Sequence, residues 1–139
     1  MAIDSIFAAS RFGLEFERLR LEAASHNVAI ANTPVRPGQP TTLMRVSTTG
    51  GTHFGETVGF ADAGMPANPM IVEEAAPERT VHDPSDPQAD AKGMVSYPRV
   101  DLVDEMATLV SAGRAYEANV RAFNTLHSMA MHALDIGSK

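Results

Sequence analysis

Residues 24–34 read ASHNVAIANTP, a helical stretch that ends abruptly at a proline. Upstream of this stop, apolar side chains recur every seven residues, at Phe7, Leu14, Leu21 and Val28. Asp4 or Ser5 is the predicted N-cap of a first helix. Because proline disfavours the helical conformation in the residue before it, we predict that this helix ends at about Ala31. Seven-residue spacing gives a helix a narrow apolar seam, which is typical of helices that pack against other helices.

The C-terminal part of the chain repeats this spacing. Its apolar row consists of Leu102, Leu109, Tyr116 and Phe123, with Met106, Val120 and Leu134 beside it. Acidic residues from Asp101 onward complement a helix N-terminus, and Gly137 is a natural stop, so we predict a second helix from Val100 or Asp101 to about Ile136. The expected fold is mainly α, with the N- and C-terminal long helices pairing as a coiled-coil domain.

The middle of the chain is rich in proline and glycine and carries weaker signals. Thr42–Thr48, Thr57–Phe60 and Met70–Val72 are predicted strands, and Gly50-Gly51 is a predicted turn. We therefore expect a small β-rich or irregular central insert, with an unstructured linker as the alternative. The predicted divisions are residues 1–33 for the N-terminal helix, 34–98 for the insert with its Asp-Pro loop, and 99–139 for the C-terminal helix.

Composition narrows the function classes. The chain has 139 residues, a net charge of −6, no tryptophan and no cysteine. Its lysines and arginines are dispersed, which argues against nucleic-acid binding, and no apolar run reaches the roughly 20 residues of a membrane helix. The first residues lack the basic and apolar regions of a secretory signal, so no cleaved signal is expected. Much alanine predicts a thin core, with burial supplied by other chains.

No pattern of catalytic or ligand-binding residues is recognisable. Asp83, Asp86 and Asp90 do not follow the spacing of a calcium-binding loop, so we interpret them as turn-capping residues. His127 and His132 are five residues apart and do not share a helix face as paired zinc ligands do. We predict no enzyme activity, no cofactor and no metal. Four residues interrupt the two seams and are candidate register or neighbour contacts: Ser10, Glu17, Gly113 and His127.

The stretch ASHNVAIANTP resembles the N-terminal signature of the bacterial flagellar rod, hook and hook-associated proteins. The C-terminal half is also similar to this family: residues 83–93 read DPSDPQADAKG, Tyr97-Pro98 follows, and Ala118-Asn119 lies in the second helix. Ile30 stands where the family usually has asparagine. The resemblance covers about the first 34 residues and everything from Val81 onward.

This resemblance implies a structural subunit of the flagellar basal body without catalysis. Its terminal helices would form an inner coiled-coil domain, and copies would assemble helically with themselves and other rod subunits into the proximal rod, which crosses the periplasm and transmits torque. Other implied partners are the flagellar type III export apparatus, which needs no cleaved signal, and an MS-ring or hook-basal-body adaptor protein. The isolated chain is expected to be poorly helical and to gain order on assembly.

The residues predicted to form the assembly interface combine the two seams with the asparagines of the signature: Phe7, Leu14, Leu21, Asn27, Val28, Asn32, Leu102, Met106, Leu109, Tyr116, Asn119, Val120, Phe123 and Leu134. Two alternatives remain at this point. One is a cytosolic helical adaptor or export chaperone that binds an amphipathic helix of a partner. The other is a paralogous rod or hook subunit.

Overall fold

The computed structural model describes residues 2–36, 39–48 and 68–137. Its elements in chain order are α1 (Ala2–Ile30), β1 (Thr42–Thr48), β2 (Pro69–Ala75), β3 (Glu78–His82), β4 (Met94–Pro98) and α2 (Leu102–Gly137). The prediction of a mainly helical chain with a small β-containing insert is confirmed. The predicted strand Thr57–Phe60 and the turn at Gly50-Gly51 lie outside the described residues.

Helix α1 is longer at its start than expected. It begins at Ala2, so Asp4 and Ser5 lie inside the helix and the predicted N-cap is wrong. Alanine has the highest helix propensity, and the residues before Asp4 continue the helix instead of stopping it. At the other end α1 stops at Ile30, where the Thr33 N–H donates to the Ile30 carbonyl at 2.9 Å. The Asn-Thr-Pro stop is thus placed as predicted.

Helix α2 begins at Leu102, one residue after Asp101, the later of the two predicted starts. The Asp101 carboxylate accepts hydrogen bonds from the N–H groups of Val103 at 3.0 Å and Asp104 at 3.2 Å. These bonds satisfy backbone donors that a helix start otherwise leaves unpaired. The helix has 36 residues and ends at Gly137, while α1 has 29. At 1.5 Å per residue, their lengths are about 54 and 44 Å.

The two helices pack against each other in opposite directions. Phe7 near the start of α1 meets Phe123 late in α2, with ring centroids 5.5 Å apart. Further along, Gly13 lies against Asn119, and Asn27 near the end of α1 bonds to Glu105 near the start of α2. The antiparallel pairing therefore brings the N- and C-terminal helices together within one chain.

Between the helices, two antiparallel hairpins form. Strand β1 pairs with β2, with Thr42 opposite Ala75, and β3 pairs with β4, with Glu78 opposite Pro98. The predicted bounds of β1 are confirmed, and Met70–Val72 falls within β2. Strands β3 and β4 were not predicted. Every residue of β3 is exposed, so it lacks the alternation of buried and exposed side chains from which a strand is recognised.

The core is thin and dominated by alanine, as the composition indicated. The buried apolar side chains among the described residues are Leu19, Ala23, Ala24, Ala31, Leu43, Val95 and Ala112. Polar side chains are buried beside them, namely those of Asn27, Thr41 and Glu105. Because alanine buries little apolar surface, this core stabilises a single chain only weakly.

Candidate assembly surfaces

The predicted row of α1 is half-buried along its whole length. Phe7, Leu14, Leu21 and Val28 each keep part of their surface accessible. Phe7 packs edge-to-face on Phe123, with ring planes inclined by 68°. Such aromatic contacts contribute about 0.5–1.5 kcal/mol beyond the area they bury. The row therefore lies at the side of the α1–α2 contact and has surface left for another chain.

The predicted row of α2 divides into two groups. Leu109, Asn119, Val120 and Phe123 are half-buried, whereas Leu102, Met106, Tyr116 and Leu134 are exposed in the single chain. Their role in assembly stays a prediction. The residues at the centre of the contact with α1 form a different row with the same spacing, Glu105, Ala112 and Asn119.

Sequence reasoning missed Glu105 and Ala112 because it followed large apolar side chains. Glu105 is charged and was interpreted only as a complement to the helix dipole. Ala112 is completely buried, and the small Gly13 lies at the same interface against Asn119. A β-carbon on Gly13 would lie 3.0 Å from the Asn119 amide nitrogen. The available signal was one small residue on each helix, Gly13 and Ala112, since small side chains let helix backbones approach closely.

A buried polar cluster joins α1, β1 and α2. The Asn27 side chain is completely buried; its oxygen accepts from the Met44 N–H at 2.8 Å, and its nitrogen donates to the Met44 carbonyl at 2.9 Å. The same nitrogen donates to the Glu105 carboxylate at 3.1 Å. An asparagine amide offers a donor and an acceptor as a peptide group does, so Asn27 pairs with β1 much as a neighbouring strand would.

Arg45 completes this cluster from the surface. Its Nη1 lies 2.7 Å from Oε1 of Glu105, whose side chain is only 4% exposed, while the Arg45 side chain is 49% exposed. Arg45 also lies 4.0 Å from Glu74 on the adjacent strand. A buried carboxylate needs compensating hydrogen bonds, and here Arg45 and Asn27 supply them. The cluster therefore links the signature asparagine to the first turn of α2.

The second signature asparagine anchors the other hairpin. The Asn32 side-chain oxygen accepts from Nη2 of Arg79 at 3.3 Å, and the same nitrogen lies 3.5 Å from the Ala31 carbonyl. The Arg79 guanidinium also lies over the Tyr97 ring, 5.1 Å from its centroid. No basic residue occupies the last turn of α1, so Arg79 supplies from β3 a positive charge that complements the helix C-terminus.

The outer side of α2 carries an apolar strip formed by Val103, Met106 and Val110. These side chains are 79%, 60% and 56% exposed, and they point away from the row that faces α1. Gly113 continues the strip by one turn, with nothing within 4 Å of the position a β-carbon would take. The apolar strip was only partly predicted, through Met106, because Val103 and Val110 fall outside the seven-residue row.

The C-terminal end of α2 is also uncovered. Extrapolated from the Phe7–Phe123 contact, the first residue of α1 lies level with about residue 129 of α2. All of residues 131–137 are exposed, including Met131, Leu134 and Ile136. We call these residues, 131–137, the overhang. Its apolar side chains add to the surface available to a neighbouring chain.

The residues that interrupt the seams behave differently from one another. The Glu17 side chain is 12% exposed and pairs with Arg20 at 2.8 Å, and Ser10 is half-buried. His127 is exposed in the single chain, so its role as a neighbour contact stays a prediction. The half-buried side chain here is Leu126, because the contact row of Glu105, Ala112 and Asn119 lies one residue before the row that contains Met106, Val120 and His127.

The loop between β3 and β4 is a series of aspartate-capped turns. Asp83 accepts from the Ser85 hydroxyl at 2.6 Å and its N–H at 3.1 Å, Asp86 from the Gln88 N–H, and Asp90 from the N–H groups of Lys92 and Met94. These bonds lower the pKa of Asp83, chiefly through Ser85, and that of Asp90, chiefly through Met94. The interpretation of these residues as turn-capping is confirmed.

In the part of the chain that the structure describes, no group of three or more histidine or acidic side chains is placed to hold a metal ion. None of the described helices is long and apolar enough to cross a membrane. What the described residues present is a pair of helices with apolar surface on the outer side of α2 and at its end.

Comparison with known proteins gives a consistent result. The family model described as the C-terminal part of flagellar basal body rod FlgEFG proteins matches residues 91–136. The flagellar basal-body rod protein FlgC of Escherichia coli O6:H1 is 37% identical over 99% of both chains. Its counterpart in Salmonella typhimurium is 35% identical over 99% of both chains, and that of Borreliella burgdorferi is 31% identical over 98% of both. The chain therefore belongs to the FlgC family of flagellar basal-body rod proteins.

Proposed function

We propose that this chain is a structural subunit of the flagellar basal body and forms part of the proximal rod that transmits torque. Similarity to rod proteins over nearly the whole length of both chains supports this role. The structural observation that carries it is the apolar surface of α2, where Val103, Met106 and Val110 remain exposed although α2 already packs on α1. An apolar face of this kind is typical of a surface that another chain covers.

In this proposal α1 and α2 form one coiled-coil domain of the inner rod, and the hairpins project as an outer insert. The antiparallel contacts from Phe7–Phe123 to Asn27–Glu105 support the pairing of the helices. Contact between neighbours would be heterologous, since the apolar strip and the half-buried row of α1 lie on different sides of the pair. Heterologous contacts that do not close build a helical assembly.

The proposed partners are further copies of this chain, other rod subunits, the flagellar type III export apparatus, and an MS-ring or hook-basal-body adaptor protein. The thin, alanine-rich core supports export in an unfolded form, because unfolding it gives up little buried apolar area. We place the subunit in the periplasm-spanning rod, exported without a cleaved signal peptide. The family of the relatives favours this role over a cytosolic adaptor or chaperone.

The proposal is tested by deleting the gene and complementing it. We expect the deletion strain to be non-motile and to lack rods in purified basal bodies, with both restored by the native gene. Fractionation should find the complementing protein in basal bodies. Intact rods and normal motility in the deletion strain would overturn the proposal.

A matched pair of variants tests the apolar strip itself. Val110→Asp places a charge on the strip and should prevent rod assembly, because a buried unpaired charge is strongly unfavourable. Ser111→Asp adds the same charge at the next, exposed position of α2 and should assemble. Equal incorporation of both variants into basal bodies would show that the strip is not an interface.

A further inference from the structure

The apolar residues of the α1–α2 contact do not specify its register. A slip of α2 by seven residues keeps equivalent side chains at the interface. It places Tyr116 opposite Phe7, where Phe123 lies now, and it places Ala112 opposite Gly13, where Asn119 lies now. Aromatic pairing and the close approach at glycine both survive, so the apolar side chains discriminate weakly between the two registers.

The buried polar cluster does discriminate between them. In the observed register Glu105 receives hydrogen bonds from Asn27 at 3.1 Å and from Arg45 at 2.7 Å. After the slip, Asn27 faces Pro98 before the start of α2, and both donors lose the carboxylate. Arg20 would then lie opposite Glu105, but it is already paired with Glu17 at 2.8 Å. Buried polar groups without partners are costly, so the slip carries a penalty.

Strand β1 makes this discrimination depend on a third element. Asn27 is held in place by two hydrogen bonds to the backbone of Met44, and Arg45 is the next residue of the same strand. The donors to Glu105 are therefore aligned only when β1 lies against α1. Helix pairing and docking of the first hairpin are linked through one carboxylate.

We propose that the buried cluster of Asn27, Arg45 and Glu105 is a register lock, which selects the observed pairing of α1 and α2 over the pairing slipped by seven residues. The lock does not depend on the proposed role in the rod. It gives a chain with a thin core a specific helix alignment that its apolar side chains do not supply. Single buried polar residues fix the register of helix pairs in the same way.

Cross-linking tests the lock directly, because the native chain contains no cysteine. A full-length chain with Gly13→Cys and Asn119→Cys reports the observed register, since these positions are already in contact. A second chain with Gly13→Cys, Ala112→Cys and Asn119→Ala reports the slipped one, and its alanine removes the Asn119 amide that would lie 3.0 Å from a β-carbon at position 13. In the observed register Ala112 lies two turns from Asn119, about 10 Å along the helix, which is too far for a disulfide.

With the lock intact, we expect the disulfide yield of the first cysteine pair to be at least about tenfold that of the second. A difference of this size corresponds to the loss of one to two buried hydrogen bonds in the slipped register. Adding Asn27→Leu and Glu105→Leu to both reporters should bring the ratio close to one. The control, Glu22→Leu with Asn124→Leu, makes the same kinds of change at exposed positions of the same helices and should keep the native ratio.

Three results would overturn the lock. The first is equal disulfide yield from both reporters in the otherwise native chain. The second is a native yield ratio in the variant with Asn27→Leu and Glu105→Leu. The third is a yield ratio in the exposed control that falls as far as it does in that variant. If the double variant loses its helical circular dichroism signal, the yield ratio is measured with Asn27→Ser in both reporters instead. Serine is polar but too short to bridge Met44 and Glu105. Its ratio must also fall, and a native ratio in Asn27→Ser would reject the proposal.

Discussion

Arg45 and Glu105 form an ion pair whose two members differ in burial. Glu105 is almost completely buried and depends on Arg45 and Asn27, whereas half of the Arg45 side chain is in contact with water. Removing the carboxylate leaves a guanidinium that water can still solvate. Removing the guanidinium leaves a buried negative charge with a single amide donor. The two substitutions should therefore have unequal effects on stability.

We predict that Arg45→Ala lowers the free energy of unfolding. Removing one partner of a buried ion pair typically costs about 3–5 kcal/mol, and we expect a loss near the lower value. Adding Glu105→Gln should restore part of that loss, because it removes the uncompensated charge. Urea unfolding followed by circular dichroism measures both. As a control, Arg121→Ala breaks the exposed pair with Glu117 and should change stability by less than about 1 kcal/mol. A double variant less stable than Arg45→Ala would contradict this reasoning.

The aspartates of the β3–β4 loop predict an acid transition. The pKa values of Asp83 and Asp90 are lower in the fold than in an unfolded chain, where aspartate titrates near pH 4. Their contribution to stability is therefore complete above about pH 4 and is lost as the pH falls through the lowered values in the fold. We expect the amide NMR signal of Met94, which is bonded to Asp90, to shift in that acidic range.

Asp90→Asn separates titration from hydrogen bonding in this loop. The asparagine side chain keeps an acceptor for the N–H groups of Lys92 and Met94 but does not ionise in this range. The Met94 signal should then lose the part of its acid shift that comes from Asp90, while the hairpin stays folded at neutral pH. An unchanged titration curve in this variant would assign the transition to another group.

At the scale of the elements, the second hairpin depends on Gly93. This residue has φ of +72°, and a β-carbon there would lie 3.1 Å from the His82 ring and 3.2 Å from Pro84. Both the backbone conformation and the space favour glycine. We predict that Gly93→Ala destabilises the β3–β4 hairpin by about 1 kcal/mol or more, measured by hydrogen exchange of the β4 amides. Unchanged protection would show that the loop readjusts without cost.

Gly113 in α2 is the opposite case, because its surroundings in the chain are open. Replacing it with alanine should raise the stability of the isolated chain by up to about 1 kcal/mol, since glycine is a poor helix former. Gly113→Leu should fold equally but assemble poorly if a neighbouring helix approaches this point, because leucine would hold the two backbones apart. Motility and basal-body incorporation distinguish the two variants. Normal assembly of Gly113→Leu would remove this position from the interface.

For the molecule as a whole, the thin core predicts weak stability before assembly. We expect the purified chain to show less helical circular dichroism than its two long helices would give, and to gain helix in rods. Leu21→Asp and Leu109→Asp should block assembly, since both positions are half-buried and retain surface for a neighbour. Leu21→Met and Leu109→Met conserve volume and serve as controls. Incorporation of the aspartate variants into rods would show that the interface assignment is wrong.

The sequence by itself determined where the two helices and the first strand lie. The apolar periodicity and the proline, aspartate and glycine residues at the ends of elements placed the bounds of α1, α2 and β1 to within a few residues. These signals are local, because they act over one or two helical turns. Resemblance in the ASHNVAIANTP and DPSDPQADAKG stretches indicated the family. The start of α1 and the strands β3 and β4 were not predicted. High helix propensity extends α1 back to Ala2, and β3 and β4 form through their backbone pairing.

Only the tertiary structure decided which face of each helix is used inside the chain. The large apolar residues of α2 marked a row beside the contact, while Glu105, Ala112 and Asn119 form its centre. A charged residue at a buried position is recognisable only when its partners are known, and Asn27 and Arg45 are distant in sequence. The stretch that ends α1 thus identified the family, but its Asn27 acquired a role only when β1 and α2 were brought against it, because hydrogen bonds depend on distances that sequence spacing does not contain.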